Sequence, residues 1–542
     1  MDHRPAWSAR RQWRVLQVGW NEGADFLAAW QAWRDDPQRP DLLHYVALDA
    51  APRESSRWFG LTPGLHRFSF EGGCVLLTLC VGEHSAMLRE LAFRADAILL
   101  DELGPPTLKA LPRLCRRETL LACRGMVQAT VAELGGAGFV SDHADAQGLR
   151  ARYAPAWAVK GLPDAPPAPP ADAIVIGAGL AGAAVAASLA RRGCSVRVLD
   201  AAAEAAAGAS ALPAGLMAPH QSPDDNLLSR LSRSGVRITL QECERLLAAG
   251  TDWQATGVLE HRRGDLRGLP ALGAALDPWT REATAAEKSA AGITTHEAAW
   301  WHATAGWVRP GALVRAWLST PGVHFHGGCA VQELVRDGAG WRVLGADGEL
   351  GRAAIVVVAA AGGTPALLQD RVAVHPVRGQ VSWSVRQPQD RLPAMPVNGN
   401  GHFLPDVPLP PGRAWLTGST YGRADADARP RAEDQAANLQ RLRQLLPATA
   451  ASLEPQFRDT SVGAWSGVRW ASTDRRPLVG EVEPGLWTST AMGSRGLTFA
   501  ALCGEWIAAR LYAEPWPLES RLAQAIDVVR SKAARPAEGS HS

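Results

Sequence analysis

Short runs of branched apolar residues punctuate this chain. Each ends on an acid or a glycine before a stretch of helical spacing begins. Residues 14–18 form the first run, and DFLAAWQAWRD after it repeats apolar side chains at helix period. The runs at 44–48 and 95–100 end on Asp49 and on Asp101-Glu102, and a further run covers 125–130 ahead of a short helix. Strands that alternate with helices predict a parallel, doubly wound sheet. A second series opens at 173–176, continues as a helix of small residues through Ala190, and reaches a strand at Ser195–Leu199 that ends on Asp200. Runs at 354–361 and 487–492 read as buried strands. The latter leads through Gly493-Ser494-Arg495-Gly496-Leu497 into a helix ending near Ala509. Between the two series lies GLPDAPPAPPAD, residues 161–172, whose prolines predict a semi-rigid linker spanning up to ~35–40 Å. The pattern divides the chain into a domain at 1–160, the linker, a domain at 173–530 and a disordered tail at 531–542.

A length of 542 residues agrees with two or three domains rather than one core. No apolar run approaches the ~18 residues of a membrane span. The N-terminal MDHRPAWSARRQWR lacks the apolar core of a signal peptide, so a cytoplasmic protein is expected. The eight cysteines include no C-x-x-C pair and the histidines no H-E-x-x-H. Neither a disulfide framework nor a metal site is predicted. A net charge of +2 gives no general nucleic-acid signal, so an RNA site must be a local basic patch. The 21 tryptophans read mainly as core packing.

The candidate chemistry starts at Gly177-Ala178-Gly179-Leu180-Ala181-Gly182. Gly177 permits the tight turn, Gly179 lets backbone approach a pyrophosphate, and Gly182 lets helix pack on strand. The helix N-terminus offers N–H groups and a positive dipole to phosphates, and Asp200 offers an acceptor to a ribose hydroxyl. Small residues at Gly208-Ala209-Ser210 and Ala214-Gly215-Leu216 let the chain pass close to a flavin. Gly362-Gly363 ends the mid-chain strand near the nucleotide, and the loop Gly493–Leu497 offers N–H groups to the flavin edge. The cofactor set is therefore Gly177, Gly179, Leu180, Ala181, Gly182, Asp200, Ser210 and Gly215, with Val331, Gly362, Gly493, Arg495, Gly496 and Leu497.

Three arginines are the candidate catalytic residues. Arg469 sits at the end of an aromatic and small-residue strand, where its guanidinium needs an anionic partner. That partner is a substrate carboxylate held bidentately or a structural acid such as Asp474. Arg495 lies in the flavin-side loop. Arg378, in His375-Pro376-Val377-Arg378-Gly379-Gln380, starts the strand crossing the flavin face and is either a pocket residue or a structural pair.

In the N-terminal domain, glycines after the first strand and an acid ending the second suit a nucleoside ligand. This arrangement resembles a class I S-adenosylmethionine methyltransferase, with Gly19, Gly23, Asp49 and Asp101 as the possible S-adenosylmethionine site. In the C-terminal domain, GASALPAGLMAPH, DDNLLSRLSRSG, HPVRGQVSW, VRWASTDRRPLVG and GSRGLTFAALCGEWIAARL resemble, in order and spacing, the oxidase half of the bifunctional enzymes that modify the tRNA wobble uridine. That half is similar to glycine oxidase and to the D-amino-acid-oxidase-like flavoproteins. VGWNEGADFLAAWQ and ILLDELGPP resemble the same enzymes' methyltransferase half.

The resemblance implies an α/β fold. A class I methyltransferase-like Rossmann domain precedes an FAD-binding Rossmann-like domain that carries an antiparallel-sheet substrate domain. It implies FAD as cofactor, S-adenosylmethionine as a possible second one, and tRNA as partner. It also implies oxidation of the carboxymethylaminomethyl group to an aminomethyl group with release of glyoxylate, possibly followed by methylation. By similarity to glycine oxidase, Arg469 matches the carboxylate clamp and Arg495 an arginine of the flavin-side loop.

The N-terminal half departs from the pattern. Asn21 replaces the middle glycine, Glu22 adds negative charge, Glu102-Leu103-Gly104 follows Asp101, and the chain starts close to its first strand. A degenerate domain serving packing or tRNA docking is expected. The alternatives are oxidation of free glycine, sarcosine or D-amino acids, and a non-catalytic tRNA- or nucleotide-binding protein. The oligomeric state is open, with a monomer favoured.

Overall fold

A computed structural model describes residues 4–8, 10–53, 58–124, 131–145, 148–159, 169–261, 272–459 and 461–530. The chain forms two compact units, Met1–Pro170 with Ala508–Ala523, and Ala171–Ile507 with Gln524–Ser542.

The first unit is built on an eight-stranded sheet. Its strands are β1 (Gln12–Val18), β2 (Leu42–Asp49), β3 (Gly64–Phe70), β4 (Val75–Val81), β5 (Ala95–Leu100), β6 (Cys115–Cys123), β7 (Phe139–Asp145) and β8 (Gly148–Tyr153). Their order is β3-β4-β2-β1-β5-β6-β8-β7. The central five strands run parallel, and β3, β8 and β7 are antiparallel to their neighbours. Strands β4 and β5 are buried along their full length, as parallel strands covered on both faces must be. One face packs Trp7, Trp13, Trp20, Phe26, Trp33, Tyr45 and Trp58. The other is mainly aliphatic, from Leu16 and Val46 to Leu134. The run expected at 125–130 lies outside the described residues, as do 160–168 of the linker and the tail from 531.

The segment Ala508–Ala523, read in the sequence as part of 173–530, packs with the first unit. Its backbone is gripped there by buried side chains. Gln12 and Arg14 donate to the Tyr512 carbonyl at 3.0 and 3.1 Å, and Arg67 donates to the Pro515 carbonyl at 2.7 Å. Glu514, wholly buried, lies 3.6 Å from His44.

The second unit holds a six-stranded sheet with order β11-β10-β9-β12-β16-β15. Here β9 is Asp172–Ile176, β10 Ser195–Leu199, β11 Val323–His326, β12 Ile355–Val358, β15 Leu478–Glu483 and β16 Leu486–Thr490. All neighbours are parallel except β15 and β16. A separate nine-stranded, mostly antiparallel sheet contains β13 (His375–Val385) paired with β14 (Gly463–Ala471).

Helix Leu180–Ala190 packs on β9 so closely that a Cβ on Gly182 would overlap the Gly177 carbonyl. Its far end is fixed by charge. Arg191 and Arg192 meet Glu505 of helix Gly496–Leu511 at 2.6 and 3.0 Å. Arg191 also reaches Glu242 of helix Leu227–Leu246 at 3.3 Å. Both cations sit at the helix C-terminus, where the dipole favours them. Burial alone would raise the Glu505 pKa, but Arg192 and Arg191 outweigh it and hold it well below the usual glutamate value.

Because that pKa is depressed, the pair's contribution to stability is present above the unfolded glutamate pKa. It is lost as pH falls through the folded value. Glu505→Gln removes the carboxylate shared by two buried guanidinium groups and should cost about 3–5 kcal/mol in urea unfolding at neutral pH. The deficit relative to wild type should shrink as pH is lowered below the ordinary glutamate range. A pH-independent deficit would assign the loss to packing instead.

Candidate active site

At the carboxyl end of β9 the chain turns at Gly177, whose φ of +110° favours glycine and whose Cβ would strike the Ala359 carbonyl. Gly179 caps the following helix in an extended conformation, with no side chain satisfying the helix N-terminus at that position. The Leu180 N–H donates to Ser210 Oγ at 3.0 Å. The Asp200 carboxylate accepts from the Ala178 N–H at 2.6 Å and the Ala202 N–H at 2.8 Å, so the acid also shapes the turn it faces. A Cβ on Gly215 would approach Leu497 Cδ1 to 2.7 Å, which ties this loop to the one opening helix Gly496–Leu511. The result is a small-residue cradle at a helix N-terminus, the arrangement that a dinucleotide pyrophosphate requires. These residues fit FAD.

The cradle opens into a cavity of about 1610 Å³. Single small-ligand sites occupy roughly 300–1,000 Å³, so the space admits a cofactor and a second ligand. Gly177, Gly179, Leu180, Ala181, Asp200, Ser210, Gly215, Val331, Gly493, Arg495, Gly496, Leu497 and Arg469 all line it. Three predicted residues do not. Gly182 lies on the face of the helix packed against β9. Gly362 packs on the Trp470 indole, which itself lines the cavity. Arg378 is buried in an ion pair with Asp434 and donates to the carbonyls of Asp427 at 2.7 Å and Arg429 at 2.6 Å. Its reading as a catalytic residue is therefore corrected. Its guanidinium fastens β13 to the loop before helix Ala432–Leu445.

Arg469 stands on β14 with no carboxylate among its partners. It donates to Ser494 Oγ at 3.2 Å, Ser419 Oγ at 3.4 Å, and the carbonyls of Val377 at 3.4 Å, Arg378 at 3.2 Å and Thr420 at 3.1 Å. The Tyr421 ring lies 5.2 Å away. Gly379 makes room for it, because a Cβ there would overlap the guanidinium. Asp474, the structural acid considered for Arg469, is held by Arg476 at 2.7 Å and Arg530 at 3.0 Å. Burial pulls the Arg469 pKa below the usual arginine value, and burial with Arg475 nearby does the same to Arg495.

Sequence reasoning missed Arg423, Arg441, Arg475, Glu260, Asn398 and His402, all of which line the cavity. They come from separate strands, a loop and helix Ala432–Leu445, with no motif spacing to link them. Among the described residues, no cluster of His, Cys, Asp or Glu is placed to hold a metal. No helix there is long and apolar enough to cross a membrane.

In the first unit, Gly19 (φ +99°) follows β1 and Asp101 follows β5, and a Cβ on Gly19 would overlap the Asp101 carboxylate. This is where the strand order reverses, the usual place for a ligand in such a sheet. Here the acids meet a cation of the chain itself. Arg124 donates to Asp25 at 2.7 Å and approaches Asp101 at 3.5 Å. Asn21 also donates to Asp25, at 2.7 Å. Gly23 packs on Trp20 and Trp58, Asp49 caps the Ala51 N–H at 2.9 Å, and Glu22 pairs with Arg53 at 2.9 Å.

Comparison with known proteins places this architecture. The FAD dependent oxidoreductase (DAO) family profile matches residues 172–510. The chain is 45% identical to the tRNA 5-methylaminomethyl-2-thiouridine biosynthesis bifunctional protein MnmC of Polaromonas naphthalenivorans (strain CJ2), with 96% of this chain and 90% of that protein covered. It is 44% identical to the protein of the same name from Paracidovorax citrulli (strain AAC00-1), covering 97% and 93%. Among solved structures, glycine oxidase from Geobacillus kaustophilus superposes with a TM-score of 0.51 at 20% identity, over 63% of this chain and 95% of that one. L-amino acid deaminase from Proteus vulgaris gives 0.53 at 22%, over 69% and 96%. These two likenesses show the fold of the second unit. The chain thus belongs to the DAO family of FAD-dependent oxidoreductases over residues 172–510 and, along nearly all of its length, to the MnmC family.

Proposed function

We propose that this protein oxidises the carboxymethylaminomethyl arm of the wobble uridine in tRNA, turning 5-carboxymethylaminomethyl-2-thiouridine into 5-aminomethyl-2-thiouridine and glyoxylate. The observation that carries the reading is Arg469, a desolvated cation on the cavity wall held by neutral acceptors only. A buried charge calls for a partner, and the arm ends in a glycine carboxylate that matches a guanidinium bidentately. The MnmC relatives are named for tRNA 5-methylaminomethyl-2-thiouridine biosynthesis, which supports a wobble-uridine substrate, and the size of the cavity agrees with a nucleobase entering beside a cofactor.

FAD, when bound in the cradle of Gly177, Gly179, Ser210 and Asp200, supplies the two-electron acceptor for a hydride. The chain's own residues do the placing. Arg469 fixes the carboxylate and thereby the methylene carbon beside it, converting binding energy into orientation. Arg495 and the loop at Gly493–Arg495 present positive charge and N–H groups on the cofactor side. Loss of the hydride from the methylene and of a proton from the neutral amine gives an imine. Water then divides it into the primary amine and glyoxylate. A tRNA substrate makes this a cytoplasmic enzyme.

We infer further that the first unit does not bind S-adenosylmethionine. Arg124 already pairs with Asp25 and approaches Asp101, so a cation of the chain engages the acids at the point where a cofactor would sit. The primary amine is then the end product of this chain, and no methyl-transfer step follows.

Two measurements test these readings. Arg469→Ala should retain FAD and lose about 2–5 kcal/mol of transition-state binding, roughly 30- to several-thousand-fold in kcat/KM at 1.4 kcal/mol per tenfold. Unchanged kinetics would remove Arg469 from the site. In nucleoside mass analysis of hypomodified tRNA incubated with the protein, aminomethyl-thiouridine should accumulate equally with and without S-adenosylmethionine. Appearance of the methylaminomethyl form would overturn the second inference. Flavin reduction by free glycine but not by tRNA would overturn the first.

A further inference from the structure

The cavity wall away from the cradle carries a polar row with no part in the chemistry above. Glu260 pairs in register with Asn398, and Asn398 with His402, so the row crosses strands Val258–His261, Val397–Gly399 and Gly401–Leu409. All three residues line the cavity. Adjacent strands lie about 4.8 Å apart, so the row spans roughly 10 Å. Among the described residues, Asp200 at the cradle and Glu260 are the carboxylates that line the cavity, against five arginines, Arg423, Arg441, Arg469, Arg475 and Arg495.

Glu260 is oriented by a directional chain of hydrogen bonds. Arg233, buried and paired with Asp225 at 2.6 Å, donates to Gln221 Oε1 at 3.2 Å. That contact fixes the amide, whose Nε2 donates to Thr280 Oγ1 at 3.0 Å. Thr280 Oγ1 is in turn hydrogen-bonded to His302 Nδ1 at 2.8 Å. His302 Nε2 lies 3.2 Å from Glu260 Oε2, and because a carboxylate oxygen only accepts, this ring nitrogen is the donor. Asn398 Nδ2 donates to the same oxygen at 2.9 Å. A carboxylate held this firmly at a cavity wall is a built acceptor. Beyond Asn398 in the row, the His402 Nε2 is buried without a hydrogen-bond partner. Burial, with Arg469 nearby, pushes the His402 pKa down to about 4, so the ring is a neutral imidazole at neutral pH.

An acceptor-only carboxylate next to an amide donor complements a ring N–H next to a carbonyl, and a neutral imidazole extends the row on the far side of the amide. The reacting amine is the wrong match. A carboxylate beside it would hold it protonated, and the proposed oxidation requires it neutral. We propose that Glu260, with Asn398 and His402, forms the subsite for the uracil edge of the substrate, the carboxylate accepting from the N3–H. This rests on the function proposed above and adds how the base, rather than its arm, is recognised.

The test uses the FAD-loaded full-length enzyme with two probes. One is an anticodon stem-loop carrying the carboxymethylaminomethyl-2-thiouridine. The other is N-ethylglycine, which has the arm and no base. Glu260→Gln, and independently His402→Phe, should lower the ratio of kcat/KM for the stem-loop to that for N-ethylglycine at least tenfold, with FAD content and thermal midpoint recorded for each. A stem-loop methylated at N3 should lose a similar factor with wild type and little more with Glu260→Gln. An unchanged ratio, or additive losses from the N3 methyl and the variant, would overturn the subsite. Wild-type enzyme that is reduced by N-ethylglycine but not by the stem-loop would instead overturn the proposed function.

Discussion

One unneutralised guanidinium organises the substrate side of this protein. Arg469 lies across β13 where Gly379 leaves space, and hydroxyl and carbonyl oxygens take up its N–H groups. None of them cancels its charge. The acid nearest in sequence, Asp474, is engaged by Arg476 and Arg530. Desolvating a cation without a counter-ion is costly. The fold tolerates it because five neutral acceptors share the load, and the remaining deficit is what the proposed substrate carboxylate would relieve. Arg495 and Arg475 add to the same field, so the cavity favours an anionic ligand before any specific contact forms.

The opposite wall depends on close backbone packing instead. Helix Leu180–Ala190 can approach β9 only because position 182 lacks a side chain, and that approach aims the helix N-terminus into the cavity. The Arg191–Arg192–Glu505–Glu242 cluster holds the other end of the helix. Cradle and clamp therefore come from different sheets of one unit, and the cavity between them is where a cofactor and an arm can meet.

Local signals made the cradle legible in the sequence. Strand, glycine spacing, small-residue helix and terminal acid are consecutive, and their geometry follows from short-range sterics. Arg469 stood out because a charged residue in an aromatic strand is anomalous. Arg378 looked the same from sequence, yet Asp434, far along the chain, claims it. Only tertiary pairing separates the two. Glu260, Asn398 and His402 carried no signal, since strand register alone brings them together. The capture of 508–523 by the first unit was equally hidden, because its partners, backbone carbonyls held by Arg14 and Arg67 and the buried Glu514 beside His44, are hundreds of residues apart in the chain.

The most direct test of the central claim is a crystal structure of the FAD-loaded enzyme with methoxyacetate, the ether isostere of sarcosine, which keeps the carboxylate and cannot form an imine. The account predicts both carboxylate oxygens within hydrogen-bonding distance of the Arg469 guanidinium and the adjacent methylene facing the flavin. A carboxylate seated elsewhere, with Arg469 still bound only to its serines and carbonyls, would contradict it.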